Sequence, residues 1–282
     1  MIYIGRMNRM KVVKHVDFGV YLDGQDEGEI LLPRKDVPHN TEVGDRLHVF
    51  IYRDSDDRLI ATTKRPLVQV GEAAYLKVKQ QNNVGTFMDW GLPKDLLVPF
   101  NEQAWPMNEG RNVVIYCYLD ENTNRIAGTT KFHRHLSEDG RNVFQEGDAV
   151  KGMVAAQTEL GYKIILNNTH IGLLYKNEVF KPMRFGHELK VFIKQIREDG
   201  RIDLSIAASN QDVRDELEEK IMAYLKAHDG VSRITDKSPP NVIYDTFNAS
   251  KANFKRALGR LYKKRLVSLD KTQVRLLSKT SD

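Results

Sequence analysis

Residues 17–22 read "DFGVYL", a glycine at position 19 held between Phe18 and Tyr21 in a run that otherwise favours strand. A half-buried strand would ordinarily fill such positions with β-branched residues. The pattern returns as "NVGTFM" around Gly85 and "ELGYKI" around Gly161, at steps of 66 and 76 residues. A second glycine opens "GDRLHVFIY" at 44, "GRNVVIYCY" at 110 and "GHELKVFIK" at 186, and it repeats the same two steps. Two anchors with one pair of spacings specify a structural unit present three times.

Each copy closes alike, with "RLIATTK" from Arg58, "RIAGTTK" from Arg125 and "RIDLSIA" from Arg201, each behind a polar turn. Such turns between alternating strands read as hairpins. After the second glycine, Leu47, Val49 and Ile51 alternate with polar or aromatic residues. Val113, Ile115 and Cys117 repeat that register, as do Leu189, Val191 and Ile193. Period-2 alternation marks one buried face. Cys117 stands where its siblings carry Ile, so it reads as a small buried hydrophobe. On the opposite face Phe50, Tyr116 and Phe192 recur, placed either to pack between neighbouring units, the favoured reading, or to bind a base.

Units of some 60 to 65 residues with four or five short strands are too small for a sandwich. A five-stranded barrel of the OB type fits the length and removes exposed edges. The expected domains are barrels at 1–66, 67–133 and 144–208, with "FHRHLSEDGRN" (132–142) forming a polar linker before the third. From Asp212 the period changes. Val213, Leu217, Ile221, Tyr224 and Leu225 recur at helical spacing, with Gly230 as the stop. Two further helices follow, the first capped by Ser238 before "PPNVIYDTF" and the second by Ser250 before "KANFKRALGRLYKKRL". "LVSLDKTQVRLL" then closes as a strand pair. That order predicts a winged helix over 211–282. The fold class is mainly β with a C-terminal α+β domain.

Across 282 residues the chain is 41% hydrophobic and 29% charged, an ordinary folded composition. One cysteine excludes an internal disulfide and a zinc site of paired-cysteine type. The first residues lack the apolar core of a signal peptide, and no apolar run reaches the ~18 residues of a membrane helix. A cytoplasmic monomer without membrane contact is expected. The formal net charge of +5 is unevenly spread. Residues 243–279 hold ten Lys/Arg against Asp245 and Asp270, a net of +8, which leaves −3 for everything else. In the last helix Lys251, Lys255, Arg256, Arg260, Lys263 and Lys264 lie off the apolar stripe of Phe254, Ala257, Leu258 and Leu261. Charge concentrated this way points to a polyanion.

The aromatic-Gly-x-aromatic strand, the later Gly-led strand and the Arg hairpin closing on "LS" resemble the S1-type RNA-binding domain. The resemblance implies ligand contacts from Phe18, Tyr21 and Arg58 in the first unit, Phe87 and Arg125 in the second, and Tyr175 (in "IGLLY") and Arg201 in the third. The second unit departs at Val84, and the third at Leu160 and Lys163, where the pattern calls for aromatics. Aromatics on a barrel's outer face are stacking platforms for bases. Together with "FNASKANFKRALGRLYK" and the "LLVPF" of the second unit, the whole chain resembles the bacterial conserved virulence factor B family. That resemblance implies an RNA-binding regulator of virulence-related genes with single-stranded RNA as partner.

The alternatives are a DNA-binding regulator acting through the winged helix and a protein-interaction scaffold. No P-loop, dinucleotide fingerprint, HExxH or GxSxG is present, so neither enzyme activity nor a cofactor is expected. The "HRH" at 133–135 is a weak metal signal inside the linker.

Overall fold

The computed structural model describes residues 1–179, 182–206 and 212–277, with side chains placed except over 212–216. The expected limits at 208, 211 and 282, the Val213 side chain and Lys279 lie outside the described residues. The first unit comprises β1 (Met7–Val16), β2 (Gly19–Asp23), β3 (Glu29–Pro33), β4 (Arg46–Arg53) and β5 (Leu59–Thr62). It is a closed barrel in the order β1-β2-β3-β5-β4. The second comprises β6 (Ala73–Gln81), β7 (Gly85–Asp89), β8 (Leu96–Pro99), β9 (Asn112–Asp120) and β10 (Arg125–Thr129). The third comprises β11 (Ala149–Gln157), β12 (Gly161–Leu166), β13 (His170–Tyr175), β14 (Glu188–Ile196) and β15 (Ile202–Ser205), again a closed barrel.

The repeated glycines have a packing cause. A Cβ on Gly19 would lie 2.2 Å from the Leu32 carbonyl oxygen, on Gly85 2.4 Å from that of Val98, and on Gly161 2.1 Å from that of Leu174. The neighbouring strand runs so close that no side chain fits between the flanking aromatic positions. Gly161→Ala should therefore force β12 and β13 apart. The expected cost is about 1–3 kcal/mol of third-barrel stability, typical of overpacking, measurable by denaturant unfolding. The second glycine series has another reason, because Gly44, Gly110 and Gly186 take φ of +103°, +75° and +74° in the turn before the fourth strand.

The second unit differs from the expected closed barrel. Its sheet is open, in the order β10-β9-β6-β7-β8, and β8 and β10 share no ladder. In the first and third units a parallel pairing closes that seam, Leu31 opposite Ile60 and Gly172 opposite Ile202. In the second that pairing is missing, although β8 and β10 still lie side by side and a Cβ on Gly128 would meet the Val98 side chain at 2.9 Å. The ends of the seam are pinned instead by the Glu102 carbonyl, which accepts from Thr130 N at 3.0 Å and Thr129 Oγ1 at 3.2 Å. The same place in the first barrel holds a buried bond from Thr62 Oγ1 to Asp36 at 2.8 Å, and in the third one from Ser205 Oγ to Glu178.

Consecutive barrels share apolar cores. Phe50 and Tyr52 of the first are buried in one cluster with Val68, Leu76, Trp90 and Met107, and Phe50 meets Trp90 edge-on at 5.6 Å. Ala73 and Val114 of the second pack with Ala155, Ile165 and Ile171 of the third. The stretch expected as a polar linker joins that seam. Phe132 and Leu136 are buried in it, Phe144 enters the third core, and Ser137 bridges to His170. Phe132 and Leu136 among its polar residues dock the segment, and Phe144 anchors its far end in the third barrel. Tyr116 packs beside the same seam, while Phe192 is half-buried under the Lys190 amine. Cys117 is fully buried, and burial pushes its thiol far up from the ordinary range.

The C-terminal unit runs α1 (Asp212–Ala227), β16 (Val231–Ser232), α2 (Pro240–Phe247), α3 (Lys251–Lys263), β17 (Val267–Leu269) and β18 (Val274–Leu276), with a sheet ordered β16-β18-β17. This is a winged helix. Leu217, Ile221, Phe254, Ala257, Leu258 and Leu261 form its core. Ser250 caps α3 by accepting from Asn253 N at 2.8 Å. Pro239, not Ser238, precedes the first residue of α2, and the Ser238 hydroxyl accepts from Thr235 N instead. No helix among the described residues is long and apolar enough to cross a membrane.

Candidate nucleic-acid interface

On the first barrel β1 and β2 pair Lys14 with Tyr21, and β2 and β3 pair Tyr21 with Leu31, so these side chains share the outer face. Phe18 stands in the preceding turn, 57% exposed, with its ring edge-on to Tyr21 at 6.3 Å. The Lys14 amine sits 4.7 Å from the Tyr21 ring centre and also pairs with Glu29. Arg58 lies at the hairpin, held by Asp54 at 2.9 Å and Asp56 at 2.6 Å. Its bonds to Asp54 raise its pKa, and a phosphate would have to displace these carboxylates. Exposed pairs of this kind contribute little in water, so the exchange is cheap. Phe18→Ala with Tyr21→Ala should weaken binding of a single-stranded nucleic acid by roughly 1–3 kcal/mol per lost stack. The thermal midpoint should hold, because neither ring belongs to the barrel's buried cluster. Filter binding beside calorimetry checks both halves.

The second unit supplies an aromatic that the sequence pattern did not place. Val84 occupies the Phe18 position, but the backbone N–H of Phe100 donates to the Val84 carbonyl. The Phe100 ring, 45% exposed, thus stands next to the missing platform. It escaped the pattern because it comes from the turn after β8, where the sibling units carry Arg34 and Lys176.

Phe87 is half-buried and lines a groove of about 540 Å³ with Tyr118, Lys94 and Arg125, together with Arg53 and Asp57 from the first barrel. Arg125 donates to Asp57 at 3.1 Å, which holds the Asp57 carboxyl below the usual range. Lys94 donates to the carbonyls of Arg53 and Asp54, and burial lowers its pKa. The first barrel's hairpin therefore covers part of the second barrel's face.

The third barrel has a groove of about 480 Å³ lined by Leu160, Lys163, Leu173, Arg197, Arg201 and Asp203, among others. Arg201 stands 3.6 Å from Asp199 and 3.7 Å from Glu138, the loosest pairing of the three hairpin arginines. Tyr175 is half-buried and its hydroxyl bonds Arg197, which in turn pairs with Asp203 at 2.7 Å. Arg197 carried no sequence signal. The register of β14 against β15 brings it to the groove.

On α3 the six basic residues separate into two sets. Lys255, Arg256 and Lys263 are exposed on one face with Tyr262, and Lys251 is half-buried at the helix start. Arg260 and Lys264 instead converge on buried Glu218 of α1, at 2.5 Å and 2.7 Å. Burial alone would raise the Glu218 pKa, and the hydrogen bonds from Lys264 and Arg260 outweigh it and hold the carboxyl below its usual range. Those two cations share the single carboxylate of Glu218, and the Lys264 side chain stays partly in solvent. His135, from the "HRH" motif, packs against Tyr118 with ring centres 4.1 Å apart and the rings tilted, and burial lowers its pKa. Among the described residues no three His, Cys, Asp or Glu side chains gather as a metal site.

Residues 4–64 match the family profile of the S1 domain, and residues 219–276 match the CvfB-like winged helix domain. Fold and profiles together define a multidomain protein built from nucleic-acid-binding domains. The chain belongs to the CvfB-like family, that of conserved virulence factor B. It is 31% identical to "Uncharacterized protein YitL" of Bacillus subtilis, over 92% of this chain and 89% of that one. Conserved virulence factor B of Staphylococcus epidermidis is 24% identical over 98% of this chain and 95% of its own. A crystal structure of a multidomain protein with nucleic acid binding domains from Streptococcus pneumoniae aligns over 97% of this chain and 98% of that one, at 23% identity and a TM-score of 0.41.

Proposed function

We propose that this protein binds single-stranded RNA along its barrel faces and the exposed side of α3, and acts without catalysis as a cytoplasmic, monomeric regulator of transcripts. The carrying observation is the Phe18–Tyr21 pair with Lys14 beside it. A large ring left 57% exposed in a turn does nothing for the barrel core, whereas it offers a π-face and an adjacent cation to a base and its phosphate. A link of those transcripts to virulence is part of the proposal, and its support is the name of the staphylococcal relatives, conserved virulence factor B. A binding role rather than a catalytic one is supported by the perturbed ionisable groups. Asp57 is held in an exposed hairpin ion pair, and the Cys117 thiol is shut in a packed interior with its pKa pushed up, which makes it a poor nucleophile.

Titrating labelled single-stranded RNA and duplex DNA of equal length at two salt concentrations tests the proposal. The expected result is tighter RNA binding that weakens as salt rises. A preference for the duplex would assign the winged helix to DNA. Absence of any salt-dependent binding would leave a protein-docking scaffold.

A further inference from the structure

At the junction of the second and third barrels lies a cleft of about 250 Å³, lined by Trp105, Phe185, Asn112, Gln157, Val114 and Ala155 among others. Trp105 and Phe185 come from different barrels, each from the segment leading into a fourth strand, and they are 38% and 40% exposed. Neither belongs to a buried cluster, so the cores do not require them. Val114 and Ala155 belong to the apolar seam between the barrels, which makes the floor dry and fixed. The side-chain amides of Asn112 and Gln157 are exposed, and neither has a hydrogen-bond partner among the described residues. Two aromatics and two unengaged amides around an apolar floor are the elements that hold a flat heterocycle and read its edge. The volume falls below the roughly 300–1,000 Å³ of pockets for drug-sized ligands, which suits one ring system.

The surroundings favour a polyanionic owner for that ring. Arg111 adjoins Asn112, Lys77 pairs with Asn112 across β6 and β9, and Arg184 adjoins Phe185. None of these three cations has an ion-pair partner among the described residues. The carboxylates of the same segments are engaged, Glu109 accepting from the backbone N–H of Gln81 and Glu188 paired with Lys151. The cleft also adjoins the third barrel's groove, because Gln157 lines one and Thr158 the other.

We propose that this cleft takes one base of a single-stranded RNA, stacked on Trp105 and Phe185 and read by the Asn112 and Gln157 amides. The proposal rests on the RNA-binding reading above and adds a site off the glycine-flanked faces. The protein has two tryptophans, and Trp90 is 3% exposed, so Trp105 is the solvent-accessible reporter. The test uses the full chain with end-labelled oligouridylate and oligoadenylate, reading anisotropy and acrylamide quenching of tryptophan emission together. Saturation with the better oligonucleotide should protect Trp105 from acrylamide. Trp105→Leu should weaken binding roughly five-fold or more, as loss of one stack does. Asn112→Ala with Gln157→Ala should narrow the difference between the two oligonucleotides without moving the thermal midpoint. Oligonucleotide binding that leaves Trp105 equally quenchable, with Trp105→Leu binding as the unsubstituted chain does, overturns the cleft while sparing the RNA-binding reading. No oligonucleotide binding at all overturns both.

Discussion

Replacing Lys255, Arg256 and Lys263 with Gln will flatten the salt dependence of RNA affinity by up to about 2 in log–log slope, at roughly 0.7 per phosphate on a single strand. At 0.15 M salt that corresponds to a loss of up to about 50-fold. The prediction follows from where charge is available. Outside residues 243–279 the chain nets −3, so the barrels lack an excess of cations to release counterions. Within that segment these three side chains are exposed on one face of α3 and carry no ion pair to a carboxylate among the described residues. The loss should be nearly equal for all sequences, since phosphates carry no sequence information. An unchanged slope in the triple variant would make α3 a merely solvated face.

Arg260 and Lys264 should behave differently, because they meet Glu218 across the domain. Glu218→Ala removes a buried carboxylate that two cations bond. Breaking a fully buried pair costs about 3–5 kcal/mol, and partial exposure of both cations here reduces the expectation to about 2–3 kcal/mol. The pH dependence has a definite sign. The folded pKa of Glu218 lies below its ordinary value of 4.5, so the stabilisation is complete above that value and disappears as pH falls through the folded pKa. Hydrogen exchange of α3 amides, followed from pH 6 to pH 3, should show the original chain converging on the Ala variant at the acid end. Equal protection of the two at neutral pH would remove Glu218 from the domain's support.

The contrast between these basic residues shows what the sequence could reveal. Helical periodicity separates the apolar stripe of α3 from its charged remainder, because both are local to one helix. It does not divide that remainder, since Glu218 lies 42 residues before Arg260 on another helix. The barrels obey the same rule. The spacing of Gly19, Gly85 and Gly161 was legible because each glycine meets a carbonyl of the adjoining strand at the same point of the unit. Phe100 was not, because its place beside Val84 depends on a contact between the ends of two strands. The open seam of the second unit was also hidden. Its strands have ordinary composition, and only the missing pairing between β8 and β10 distinguishes it. The docking of residues 132–144 was masked by the polar residues around Phe132, Leu136 and Phe144.

The burial of Phe50 against Trp90, and of Phe132 and Leu136 between the second and third barrels, has a consequence for how a long strand is measured. Modules on flexible tethers must be aligned anew at each contact, and their effective local concentration falls as the tether lengthens. Barrels joined through shared apolar cores hold successive platforms at set intervals instead. Such an array acts as a ruler. If the proposed function holds, it would favour a strand whose unstacked bases fall at its own spacing and penalise one whose bases fall between the marks, before any edge of any base has been read.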